Sequence, residues 1–234
     1  MPTTTWTKAS VALHADEITA AARDLEHATP VEIVRWAADQ VGSDITVTCS
    51  FEDVVLAHVA ATAVPGIEIV MIDTQYLFAE TQWLAEELRK NFDANLRIVH
   101  PLHVTPDNLW QRDTEACCNV RKVQPLNAVL SEKTGWVTGV RRIDGPTRAD
   151  TPVVSLDALR NVLKINPLAL YSDEEMETYE FLHELPRNPL KDRGYPSIGC
   201  WPCTRPATVD GDARSGRWAG TEKTECGLHA KATV

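Results

Sequence analysis

The sequence predicts an α/β fold: a parallel sheet with helices on both faces. Two observations carry this. Short apolar, β-branched runs alternate with segments of helical period from about residue 30 to residue 100. The joins between them carry capping and turn residues rather than the two-residue turns of hairpins, so the strands are linked by βαβ crossovers.

The elements run in order along the chain. In "TPVEIVRWAADQVG", Thr29 is an N-cap, Pro30 takes the first helical position and Glu32 completes a capping box. Ile33, Val34, Trp36, Ala37 and Val41 form its apolar face, and Gly42 ends it. "DITVTCS" reads as a buried strand, "EDVVLAHVAATAV" as a helix stopped by Pro65-Gly66, "IEIVMID" as a second strand, "AETQWLAEELRKNF" as a second helix and "LRIVH" as a third strand. The pair Cys117-Cys118 is expected to open a helix. "WVTGVRRIDGPTRAD" is a short strand running into an arginine-rich turn, and "TPVVSLD" and "VLKINPLAL" are further strands. Ser172 and Glu175 form a second capping box, before "DEEMETYEFLHEL". Ordered loops are expected from Pro186, in a stretch rich in Pro and Gly, and no repeat is visible. The chain is expected to divide into three parts: an N-terminal helical segment, 1–44, packed on the core; an α/β domain, 45–206; and a mobile tail, 207–234, which lacks core periodicity.

A chain of 234 residues suffices for one sizeable domain. Its longest apolar run is too short to span a membrane and is broken by Asp53 and His58. "MPTTTWTKAS" lacks the pattern of a secretion signal, so the cytoplasm is the expected compartment. A net charge of −10 argues against nucleic acid as a partner, although clustered arginines still suit a small anion. Ligands of parallel sheets sit at the carboxyl ends of the strands. That directs attention to Ser50, Glu52 and Asp53 after the first strand and to Asp73, Thr74 and Gln75 after the second.

In a cytosolic chain, six cysteines read as metal ligands or reactive thiols before disulfides. Cys200 and Cys203 make a C-x-x-C, and with Cys117 and Cys118 they supply four thiolates, a set suited to zinc or to an iron–sulfur cluster. Adjacent side chains diverge, so a vicinal pair fits a polynuclear centre better than a single ion; zinc and free thiols remain the alternatives. Arg121 and Lys122 lie close after the pair. A solvated basic face is the plain reading of Arg121, whereas Lys122 is placed to face both such a centre and an anionic substrate. Cys49 ends an apolar strand and reads as core. Cys226, near Lys223 and His229 and next to Gly227, is a stray thiol or an activated one. Arg141, Arg142, Arg148, Arg214 and Arg217 are candidate anion binders, several of them beside glycine.

"CCNVRKVQPL", "TGVRR", "GYPSIGCWPC" and "GRWAGTEKTECGLH" together resemble the assimilatory sulfonucleotide reductases, specifically the thioredoxin-dependent adenosine 5′-phosphosulfate (APS) reductases that carry a [4Fe–4S] cluster. The resemblance runs from about residue 45 to Ala230. It implies an adenine-nucleotide α-hydrolase-like (PP-loop) fold and reduction of APS to sulfite and AMP by thioredoxin or a glutaredoxin-like protein. By motif it makes Cys117, Cys118, Cys200 and Cys203 the cluster ligands and Cys226 the nucleophile. Lys122 becomes the link between cluster and substrate, and Arg214, Arg217 and His229 become contacts to the phosphosulfate. Ser50, Glu52 and Asp53 fall on the phosphate-loop region; Arg141 and Arg142 join the expected substrate contacts as arginines able to bind an anion, not by motif. Two departures stand out. The loop is "SFED" where many members carry about two further residues, and "IDTQYLF" has Gln75 where many have glycine. A fused thioredoxin-like domain would need roughly a hundred more residues, so an external reductant is expected. The competing readings are a reductase for the 3′-phosphorylated substrate (PAPS), whose members generally lack the cluster cysteines, and a nucleotide-binding sensor with zinc or a cluster. The sequence does not decide the oligomeric state; a homo-oligomer is compatible with it.

Overall fold

A computed structural model of the chain describes residues 5–102, 108–208, 213–218, 223, 225 and 227–229. Helices α1 (Ala15–Asp24) and α2 (Pro30–Val41) precede strand β1 (Ile45–Thr48). Helix α3 (Val55–Ala63), strand β2 (Glu68–Ile72), helix α4 (Ala79–Asn91) and strand β3 (Leu96–Val99) complete two crossovers. Short helices α5 (Leu109–Arg112) and α6 (Thr114–Cys118) lead through a π-helical turn, Asn119–Val123, into α7 (Gln124–Leu130). Strands β4 (Gly135–Thr138), β5 (Val154–Asp157) and β6 (Val162–Ile165) come next, and then helix α8 (Asp173–Leu182).

The expected caps form. The Thr29 hydroxyl accepts from the Glu32 amide at 3.3 Å while the Glu32 carboxylate accepts from the Thr29 amide at 2.8 Å. Ser172 and Glu175 repeat the arrangement at 3.1 and 2.7 Å. Each cap satisfies amides that the first helical turn leaves without partners.

The six strands form one sheet in the order β3-β2-β1-β4-β6-β5. All neighbours are parallel except β5, which runs antiparallel to β6 at the edge. The sheet is mostly parallel, as expected; β5 is the exception, because the short connection from β5 to β6 is a turn and leaves no room for a crossover helix. Alternate residues face opposite sides of the sheet. Ile45, Val47, Ile69, Met71, Val137 and Leu163 join one core with residues of α1 to α4. Trp136 and Val162 face the other way, onto Leu126 and Leu130 of α7. Helices thus cover both faces, as central parallel strands require.

The chain leaves β1 toward β2 and β3 and later returns to pair β4 on the opposite edge of β1. This reversal between β1 and β4 is where an open α/β sheet parts to admit a ligand. Residues of the expected N-terminal segment, among them Val11, Ile18, Ile33 and Val34, are buried in the larger core. Of the segment expected to be mobile, Trp218 is buried and Arg217 bridges Thr204.

Candidate active site

A cleft of about 420 Å³ opens at the β1–β4 reversal, floored by Thr48, Cys49, Thr138 and Gly139 at the strand ends. Ser50, Glu52 and Asp53 line it, as expected for the loop after β1. Two of these side chains also hold the loop in shape. The Asp53 carboxylate accepts from the Val55 amide at 3.0 Å, at the start of α3. The Glu52 carboxylate accepts from the Ile198 amide at 2.9 Å, and burial pushes its pKa up against that hydrogen bond. Glu52 thereby ties the phosphate-loop region to the segment leading into Cys200. Cys49 is core: buried, with its thiol pushed up to about 12 by burial.

A second, smaller cavity is lined by Cys117, Cys118, Cys200 and Cys203 together. Chain segments some eighty residues apart converge there. Asp113 caps α6 by accepting from the Ala116 amide at 2.9 Å, and Cys117 and Cys118 end that helix, buried. The pair therefore closes a helical turn rather than opening one. The next turn is π-helical, a geometry that recurs at functional sites because the inserted residue re-aims the side chains after it. Cys200 precedes and Cys203 ends the 3₁₀ turn Trp201–Cys203, which is docked by the Trp201 amide donating to the Tyr76 carbonyl at 2.8 Å. The Thr74 hydroxyl lies 3.2 Å from Cys200 Sγ.

These four cysteines fit a thiolate-held centre. Burial pushes the Cys117 thiol up, against the pull of Arg121, and Cys200 and Cys203 push it the same way. Cys203 is raised by burial and by Cys200, against Lys122 and Arg217. Cys117 and Cys203 would ionise beside strong positive charge, which iron ions and the flanking Arg121, Lys122 and Arg217 would supply. Among the described residues, no three His, Cys, Asp or Glu side chains are grouped to hold a single metal ion.

The cations divide into those the fold brings to the site and those it does not. Lys122 and Arg217 line both cavities and so form their common wall. Arg217 Nη1 donates to Ser197 Oγ at 3.2 Å and to the Ile198 carbonyl at 3.3 Å, and its guanidinium lies over the Trp218 ring. A side chain at residue 199 would overlap that guanidinium, so the close approach requires Gly199. Arg141, Arg148 and Arg214 line the cleft. Arg141 is bound to Asp144 and Asp173, each at 2.8 Å. Arg142 is not brought to the cleft: it donates to Glu26 at 2.6 and 3.1 Å and to the Thr151 carbonyl, so its expected role in anion binding is withdrawn. Arg121 is not on a solvated face. It is 3% exposed, donates to the Thr74 carbonyl at 2.9 Å and to Gln75 Oε1 at 3.0 Å, and stacks over Tyr76. Gln75 itself sits at φ +64°, the left-handed region that favours glycine, and its side chain secures the turn through Arg121.

His229 lines the cleft, its ring stacked on Trp136. Its Nδ1 and the Nε of Arg217 are buried and find no hydrogen-bond partner among the described residues. Burial, reinforced by Lys164 and Arg148, holds the His229 pKa well below the ordinary imidazole value. Cys226 lies outside the described residues. Its sequence neighbour Glu225 is bound by Arg148, and Leu228 lines the cleft. Thr74, expected at the end of the second strand, lines the cleft. Sequence reasoning missed Trp218 and Glu225 as parts of the site; neither has a local signal, since each is defined only by what folds against it.

A cation-walled cleft at the reversal of a mostly parallel sheet, backed by a pocket lined by four cysteines, defines an α/β protein built to admit an anionic ligand at its strand ends. The chain belongs to the phosphoadenosine phosphosulfate reductase domain family, whose model matches residues 44–206. It is 44% identical over 216 residues to an adenosine 5′-phosphosulfate reductase of Streptomyces coelicolor, covering 89% of this chain and 92% of that one. In fold it is similar to a phosphoadenylyl-sulfate reductase from Candida auris (TM-score 0.72, 24% identity, 81% of this chain and 97% of the other). It is also similar to an FMN adenylyltransferase of Candida glabrata (TM-score 0.56, 12% identity, 87% and 76%). Among the described residues no helix is long and apolar enough to cross a membrane.

Proposed function

We propose that this chain reduces APS to sulfite and AMP in cytoplasmic sulfate assimilation, with a dithiol protein of the thioredoxin or glutaredoxin type as reductant. The similarity to an APS reductase over most of both chains supports the substrate. One observation in the structure carries the reading. Lys122 and Arg217 belong at once to the wall of the thiol pocket and to the wall of the nucleotide-sized cleft. The anion end of a bound nucleotide is thereby set beside the four cysteines.

In this mechanism the Cys226 thiolate attacks the sulfur of APS. The bond between that sulfur and the bridging oxygen breaks, and AMP departs with the electron pair. Lys122, Arg214 and Arg217 stabilise the charge that grows on the leaving phosphate. His229 and Arg217 offer it buried nitrogens that find no partner among the described residues. The product is an S-sulfocysteine at Cys226. One thiolate of the reductant attacks the Cys226 sulfur and expels sulfite, and its second thiol resolves the mixed disulfide, so both electrons come from the dithiol. Cys117, Cys118, Cys200 and Cys203 would hold a [4Fe–4S] cluster, which when bound supplies structural anchorage and local electrostatics. Ser50, Glu52, Asp53 and Arg141 border the nucleotide.

The test is mass spectrometry of the protein mixed with APS alone, without reductant. A sulfite-sized adduct on Cys226 is expected, with AMP released in equal amount. An unmodified Cys226 under these conditions would exclude the mechanism. Rates with APS and PAPS compared side by side establish which nucleotide is the substrate.

A further inference from the structure

The described residues around position 226 are held by two unlike devices. On its carboxyl side, Leu228 packs with Leu126, Leu130 and Trp136 and against Cys118 and Trp218, while His229 stacks on Trp136. That side is an apolar plug. On its amino side the contacts are ionic. Glu225 accepts from Arg148 Nε at 2.7 Å and from Arg148 Nη2 at 2.9 Å, in fork-to-fork geometry. Arg214 Nη2 approaches the same carboxylate at 3.4 Å, and the Thr147 hydroxyl lies 3.4 Å away. Arg148 is itself braced by Asp144 at 3.1 Å, and Asp144 by Arg141 at 2.8 Å. Further back, Lys223 is paired with Glu115, close before Cys117.

The partners matter. Arg148 and Arg214 both line the cleft, so Glu225 is tied to the wall of the nucleotide site rather than to bulk surface. A two-pronged, charge-assisted contact fixes direction as well as distance. Burial pushes the Glu225 carboxyl up, but the Arg148 hydrogen bond and the charges of Arg148 and Arg214 outweigh it and keep the group ionised at neutral pH.

We propose that Glu225 is a positioning residue for the reaction: its carboxylate, gripped by Arg148 and Arg214, fixes the chain immediately before Cys226 against the cleft wall, so that the thiolate is aimed at the bound nucleotide instead of merely tethered near it. The inference rests on the reading of Cys226 as nucleophile. It adds to that reading a residue that is not itself among those lining the cleft.

The experiment tracks adduct formation on Cys226 in a single turnover without reductant, at saturating APS, beside calorimetric titration with AMP. Wild type, Glu225→Gln and Glu225→Asp are compared. Misaimed nucleophiles lose on the order of 10- to 100-fold, and Glu225→Gln is expected to lose that much in the rate of adduct formation. AMP affinity is expected to stay within about twofold, because a positioning residue does not touch the nucleotide. Glu225→Asp, which keeps the charge on a shorter arm, is expected to fall between the two. An adduct rate for Glu225→Gln within about twofold of wild type overturns the inference. So does a loss of AMP affinity that matches the loss of rate, since that makes Glu225 part of the binding site. A wild-type protein that binds AMP but forms no adduct overturns the underlying mechanism instead.

Discussion

The two cavities that meet at Lys122 and Arg217 are built on opposite principles. The thiol pocket is small and walled largely by sulfur and aromatic rings, with Tyr76, Trp110 and Trp218 closing around the four cysteines. The cleft beside it is wide, and carboxylates and guanidinium groups from many parts of the chain line it. A pocket of the first kind suits a group that stays, because every wall atom is committed to it. A cleft of the second kind suits a ligand that comes and goes, because its charged walls are already paired with one another, as Arg141 is with Asp144 and Asp173. The contrast teaches that permanence and exchange are kept apart by a single shared wall of two cations.

The sharpest test separates the cavities entirely. Cys226→Ser is expected to lower sulfite formation by about 10³-fold or more while leaving unchanged the broad visible absorption of the cluster proposed for Cys117, Cys118, Cys200 and Cys203. Next comes the shared wall. Lys122→Ala is expected to slow adduct formation by roughly 10²-fold, the scale of removing one preorganised charge from a developing anion, and also to alter the visible spectrum. A change in only one of the two readouts would break the claim that Lys122 serves both cavities. A smaller effect is expected of Gly199→Ala, whose added methyl displaces the Arg217 guanidinium. Losing the hydrogen bonds that aim it should weaken AMP binding by roughly three- to tenfold in calorimetry.

The smallest effect is a pH dependence. His229 is held neutral by burial, with its folded pKa below the unfolded one. Such a group binds more protons when unfolded, so its contribution to stability is complete above about pH 6.5 and declines as the pH falls below that. The decline is about 1 kcal/mol for the first pH unit, and it should appear as earlier proteolytic cutting near residues 214–223 at pH 5.5 than at pH 7.5. Equal cutting at both values would mean that the ring is not buried in solution.

What is legible in the chain depends on whether a residue's role is local. The capping boxes at Thr29 and Ser172 are legible because both halves of each lie within one turn of chain. Strand and helix order is legible for the same reason, and it points to the residues after β1 and β2, several of which line the cleft; the β1–β4 reversal itself needs the assembled sheet. The antiparallel β5 is not legible, because pairing direction depends on how the connection folds. Arg121 and Arg142 mislead for a related reason. Arg121 and Lys122 both lie within the π-helical turn and both line the thiol pocket, so Arg121 is buried by contacts to Thr74, Gln75 and Tyr76 that lie far off in the sequence. Arg142 is claimed by Glu26, more than a hundred residues away, which no local pattern announces.

Sequence alone determined the alternation of strands and helices, the four-thiol set and the residue kinds able to bind an anion, because periodicity, capping and donor chemistry are properties of short stretches of chain. Only the tertiary structure decided that the two cysteine pairs share a pocket, that Lys122 and Arg217 form its wall with the cleft, that Arg121 is buried and that Arg148 takes hold of Glu225. Those facts arise when distant segments compete for the same partners in three dimensions, and burial and charge pairing settle that competition only once the sheet has assembled.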